Sequence, residues 1–150
     1  MSRSAHTSRG THVIELERRI AAPPDIVFSY FTDPERYQLW QGIGAELDAR
    51  PGGTFRVRQN EAGFVSRGEF IELDPPNRLV FSWGWEGIDA LPPGESTVEV
   101  VFVADGDGTL LRLRHSGLPN ESACDLHSYG WGTGLDNLVV VVAAGAGPHA

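Results

Sequence analysis

Between residues 66 and 83 the chain reads SRGEFIELDPPNRLVFSW, two strand-like runs either side of Asp74-Pro75-Pro76-Asn77. Proline has no N–H to give a ladder, and Asp and Asn favour turns, so the chain must reverse there. Phe70 and Ile71 face opposite ways on the first run, and Phe81 and Trp83 share a face on the second. Such a hairpin presents bulky apolar groups to something other than a flat partner. From Ser122 onward the spacing turns helical, with His127, Trp131, Leu135, Leu138 and Val142 on one face. Together these features predict an α+β fold in which a curved antiparallel sheet closes around a long C-terminal helix. Architectures of that kind often enclose a cavity.

The rest of the chain fits this plan. In residues 13–20, Ile14, Leu16 and Ile20 share one face while Glu15, Glu17 and Arg19 share the other, which predicts a first strand. Pro24 is placed to open a helix bearing Val27, Phe28 and Phe31. Asp33-Pro34 supplies an N-cap and a first helical residue for a second short helix, running to about Trp40. Strands are expected at 45–50 and 54–59 around Pro51-Gly52-Gly53, then at 64–73, 78–85, 96–104 and 109–115. Residues 86–95 form the longest loop and a candidate cavity lip. Gly130, Gly132 and Gly134 weaken the final helix by about 1 kcal/mol each relative to Ala, and the β-branched run 139–142 would suit a strand. Residues 1–12 read as a disordered extension, 13–144 as one domain and 145–150 as a flexible tail.

The formal charge of −8 argues against nucleic acid and anionic membrane, both of which reward basic surface. All twelve basic residues are arginine, so chemistry that needs a lysine, as a Schiff base or a phosphate ligand, is excluded. Cys124 is the single cysteine, which leaves no internal disulfide and no multi-cysteine metal site; it reads as a small hydrophobe on a helix. The first twelve residues lack the apolar core of a secretory signal. The apolar run 138–146 falls well short of the roughly 20 residues that span a bilayer. A cytoplasmic protein is expected.

Read in order, the chain resembles the helix-grip fold of the START-like (SRPBCC) superfamily, which includes polyketide cyclases and the birch-pollen allergen group. Within it, the likeness is to homologues of the activator of heat shock protein 90 ATPase, of the C-terminal-domain type. The marks begin with Pro24, Val27-Phe28, Phe31-Thr32-Asp33-Pro34-Glu35 and Trp40, followed by Asp48, Gly52-Gly53 and Phe55. They continue through Gly68-Glu69-Phe70, Glu72, Pro75-Pro76, Arg78-Leu79, Phe81 and Trp83, and end in His127, Gly130-Trp131, Leu135 and Leu138. They cover roughly residues 13–142. Chaperone activators of this kind carry a separate N-terminal domain, for which the twelve residues before the first strand leave no room. The resemblance therefore implies a small-molecule binder.

The expected site is a cavity between sheet and C-terminal helix, lined by Trp40, Phe55, Phe70, Trp83, His115, His127 and Trp131, and taking a small hydrophobic or aromatic ligand without a cofactor. Gly68 would share the inner face with Phe70, where a larger side chain would close the cavity. Strand alternation puts His115 on the inner face with Leu111 and Leu113, either as a general acid–base or as a hydrogen-bonded core residue. His127, one turn before Trp131, makes a second inward histidine, yet no third metal ligand is nominated. Glu72 either shares the inner face of Phe70, where it could serve as a base of raised pKa, or is a surface glutamate at the strand end beside the turn. A cyclase/dehydratase-like enzyme using His115 or Glu72 is the alternative, and a chaperone-interaction module a third reading. A homodimer is the expected assembly if the chain self-associates.

Overall fold

The computed structural model describes residues 11–145. Chain order is β1 (His12–Ile20), α1 (Pro24–Thr32), α2 (Pro34–Tyr37), β2 (Gly44–Leu47), β3 (Thr54–Arg58), β4 (Val65–Asp74), β5 (Arg78–Trp83), β6 (Ser96–Asp105), β7 (Gly108–Leu118) and α3 (Glu121–Gly145). The strands make one curved antiparallel sheet in the order β1-β7-β6-β5-β4-β3-β2, and the long α3 completes a helix-grip fold. The extension and tail expected at 1–12 and 145–150 lie outside the described residues except for Thr11, His12 and Gly145. His12 opens β1 and Gly145 closes α3.

Alternation supplies the sheet's inner face. In β6, Ser96, Val98, Val100 and Phe102 are buried while Thr97, Glu99 and Val101 are only half-buried. Strand β4 carries the bend: residues 65–69 pair with β3 and residues 70–74 with β5. Where the two pairings meet, a Cβ on Gly68 would sit 1.9 Å from the Ser82 carbonyl oxygen, and the Glu69 N–H donates to Ser82 Oγ at 2.9 Å. Gly68, across from the buried Phe55, is thus a point of backbone approach, where a side chain would strike β5 rather than enter a cavity. A register shift between Phe70 and Glu72 then breaks the period of two. Leu73 packs on the core, while Glu72 is exposed and pairs with Arg78 at 2.5 Å.

Pro24 stands in the first turn of α1, which buries Val27, Phe28, Tyr30 and Phe31. The Asp33 carboxylate accepts from the Glu35 and Arg36 N–H groups at 2.9 and 3.4 Å, capping α2. That helix stops at Tyr37 rather than Trp40, and turns carry the chain on. Trp40 is pinned instead by its indole N–H, which donates to the Tyr30 carbonyl at 2.9 Å.

The expected stripe on α3 is buried: His127, Trp131, Leu135, Leu138 and Val142, joined by Gly134. Residues 139–142 are helical despite their β-branching, because Leu138 and Val142 gain more from burial than Val loses in helix propensity. Gly134 admits Trp40 to the helix surface, since an added Cβ would lie 3.3 Å from the indole ring. Between sheet and mid-helix the interior is filled. Phe55 stacks on Phe81 with ring centres 4.2 Å apart, and Trp83 tilts against Trp131 at 4.9 Å. Charges lie elsewhere, in cross-strand pairs such as Glu17–Arg112 at 2.8 Å and Glu15–Arg114 at 3.3 Å. Among the described residues, no helix is long and apolar enough to cross a membrane.

Candidate functional site

At one end of this filled interior lies a pocket of about 760 Å³. Four segments wall it: the link between α2 and β2, the turn between β3 and β4, the loop after β5, and α3 as far as Asn137. All four tryptophans of the chain, Trp40, Trp83, Trp85 and Trp131, contribute. Phe64, Leu126 and Tyr129 stand exposed at its rim. The loop at 86–95 supplies Ile88, Ala90 and Leu91, and its Gly84 base holds close to Pro92, where a Cβ would meet the carbonyl oxygen at 1.8 Å. Gln41, Gln59, Asn60, Asn120, Thr133 and Asn137 bring polar groups to the wall.

Behind the pocket the two inward histidines meet edge to face, ring centres 5.0 Å apart. The Trp131 indole N–H donates to His115 Nδ1 at 3.0 Å, so that nitrogen is an acceptor. The proton then sits on Nε2, which donates to Ser96 Oγ at 2.8 Å, and the Ser96 hydroxyl donates to the Trp83 carbonyl at 2.8 Å. His127 takes the opposite tautomer. Its Nδ1–H donates to the Ala123 carbonyl at 2.8 Å, and its Nε2 accepts from Trp85 Nε1–H at 3.1 Å. Burial holds His115 well below its ordinary range, with the nearby His127 pushing the same way. Burial also lowers His127, against an opposing rise from the Ala123 hydrogen bond. Both rings are neutral and both nitrogens of each are engaged. Such a pair orients aromatic walls and offers no free lone pair for a proton transfer.

The expected lining residues therefore divide. Trp40, Trp83, His127 and Trp131 line the pocket. Phe55, Phe70 and His115 do not; each is fully buried in the packed interior. Alternation identifies a residue's face but not its depth along the strand, and these three lie on the closed side. Glu72 is far from any such role, on the outer surface beside Arg78. Among the described residues no group of three His, Cys, Asp or Glu could hold a metal ion. Cys124 is half-buried on α3, its thiol pushed up by burial and then by Asp125 and Glu121. Among the contributors that went unnoticed in the sequence are Gln41 and Gln59. For Gln59 a signal existed: Phe55, Val57 and Gln59 fall on one face, so the inward stripe of the strand ends in a polar residue.

A family model described as Activator of Hsp90 ATPase homolog 1-like protein matches residues 21–143. The solution structure of an AHSA1-like protein from Rhizobium etli is 42% identical, with 93% of this chain and 87% of that one covered and a TM-score of 0.72. The crystal structure of CalU16 from Micromonospora echinospora is 34% identical, covering 87% of this chain and 75% of its own, with a TM-score of 0.71. Among curated proteins, the Activator of 90 kDa heat shock protein ATPase homolog 1 of Homo sapiens is 29% identical over 107 residues, which is 71% of this chain and 30% of that protein. The chain spans under a third of the length of the curated relatives it matches, 27% and 30%. With a seven-stranded sheet gripping one long helix and a family model matched from residue 21 to residue 143, this chain belongs to the Activator of Hsp90 ATPase homolog 1-like family.

Proposed function

We propose that this chain binds a small hydrophobic or aromatic molecule in the pocket beside the first half of α3, as a cytoplasmic binding protein. The observation that carries the reading is the gathering of all four tryptophans around a space of about 760 Å³, large enough for a drug-sized ligand. Binding is favoured over a cyclase-like activity because both histidines are neutral with their nitrogens already bonded, and Glu72 lies outside. The chaperone-activator reading rests on the likeness to the Homo sapiens protein, of which this chain covers 30%.

Titration with Nile red, a neutral dye whose emission rises in apolar surroundings, tests the proposal. Affinity of about micromolar, some 8 kcal/mol, is expected, with a rise in the melting temperature as the dye binds the native state alone. No emission change and no thermal shift at about 100 μM dye, tenfold and more above that affinity, would defeat it.

A further inference from the structure

Resting on that reading of the pocket, we infer that the ligand is an uncharged planar ring system with a hydrogen-bond donor and acceptor on one edge, a lactam being the simplest case. Gln41 and Gln59 recognise that edge. The first observation concerns charge. The chain carries 12 arginines and 20 acidic residues, yet no Asp, Glu or Arg lines the pocket. Its one histidine in the wall, His127, is neutral with both ring nitrogens engaged. A charged ligand would shed its hydration here with no countercharge to replace it.

The second observation is a pair of half-committed carboxamides. Gln41 Oε1 accepts from the Tyr37 hydroxyl at 2.5 Å and from Gln59 Nε2 at 3.4 Å. Gln59 Nε2 also donates to Ser66 Oγ at 3.0 Å. These bonds leave Gln41 Nε2 and Gln59 Oε1 with no partner among the described residues. Turning both amides over reverses every bond in the chain, with Ser66 and Gln59 exchanging roles, and again frees one amide N–H and one amide carbonyl. In either arrangement the wall offers one donor and one acceptor on neighbouring side chains. Water satisfies them in the open pocket. A hydrocarbon would strip that water and leave both unpaired, whereas a lactam replaces both bonds at once.

Three probes on one bicyclic skeleton decide the matter: 2-quinolone, which carries the lactam; naphthalene, which carries nothing; and 2-naphthoate, which carries a charge. Competition against Nile red gives the three affinities. The expected order is 2-quinolone first, naphthalene at least about tenfold weaker, and 2-naphthoate weaker still. Gln41→Leu and Gln59→Leu should each reduce 2-quinolone toward the affinity of naphthalene while naphthalene itself holds or improves, which also shows that the variants are folded. The inference is overturned if 2-naphthoate binds tightest, if 2-quinolone gains nothing over naphthalene, or if its advantage survives in both Leu variants. Failure of all three probes, with Nile red also silent, would overturn the pocket reading itself and this inference with it.

Discussion

A chain of buried bonds runs from Trp131 through His115 and Ser96 to the Trp83 carbonyl. Each donor has one acceptor, and His115 and Ser96 are fully buried. Trp131→Phe removes the indole N–H together with part of the ring, leaves His115 Nδ1 buried and unpaired, and should cost at least about 1–3 kcal/mol. Trp131→Ala adds a cavity and should cost about 3–5 kcal/mol. Urea unfolding measures both, and a loss under about 0.5 kcal/mol for either would contradict the packing. The same residues predict a pH dependence. In the unfolded chain the imidazoles titrate near 6.5, while the native state holds both lower. Above 6.5 neither state is protonated there and stability is full. As pH falls below 6.5 the unfolded chain takes up protons that the native state refuses, so stability declines, by at most about 1.4 kcal/mol per pH unit for each histidine. Glu86, held low by its hydrogen bond with Arg56, stabilises the fold above 4.5 and loses that stability only as pH falls further, so it does not enter this range. Urea midpoints at pH 7.5 and 5.5 should therefore differ, and His127→Gln should shrink the difference; equal midpoints in the parent chain would refute a neutral buried pair.

At the scale of elements, the glycines of α3 have different reasons to be there. A Cβ on Gly130 meets nothing within 4 Å, whereas one on Gly134 comes within 3.3 Å of Trp40 and Gln41. Gly130→Ala should raise stability by about 1 kcal/mol through helix propensity, and Gly134→Ala should fall short of that gain because Trp40 must shift to make room. Gly68→Ala should be far worse, because its Cβ would strike the Ser82 carbonyl at 1.9 Å, a backbone atom that cannot move without breaking the β4–β5 junction. Thermal melts rank the three; a stable Gly68→Ala would mean that the strands are further apart than described. This junction is also where sequence reasoning lost its footing. Alternation located strands such as β1 and β6 and helical spacing located α3, while Pro, Gly, Asp and Asn turn signals marked out the strands between. None of these could show that β4 changes partners midway, because a bulge leaves no mark on composition. For that reason Glu72 leaves the face of Phe70 and takes the surface position, the second of its two readings. Phe55, Phe70 and His115 were put on the correct face but at the wrong depth, which depends on how far the loops and α3 reach along each strand.

Taken whole, the molecule separates its chemistry by place: ion pairs over the outer faces, a packed aromatic interior beneath mid-helix, and an uncharged aromatic opening at one end. The opening persists because the first half of α3 presents small residues to it. Ala123 and Gly130 line the pocket, and Gly130 has open space where a side chain would be. A tiny residue in mid-helix costs stability, so its presence at the mouth of a pocket is the mark of space kept for something else. Gly130→Trp should put an indole into that space at an exposed helical position, where nothing is displaced and the fold survives. Nile red affinity should fall at least about tenfold, the loss expected when a ligand gives up one aromatic wall's worth of contact. Gly130→Ala is the paired control: its methyl group fits, so binding should persist while the melting temperature rises. Circular dichroism establishes that both variants are folded before the titrations are compared. If Gly130→Trp binds the dye as well as the parent chain does, the dye sits elsewhere, and the exposed Leu126 and Tyr129 would then read as a surface for a macromolecular partner rather than as the rim of a ligand site.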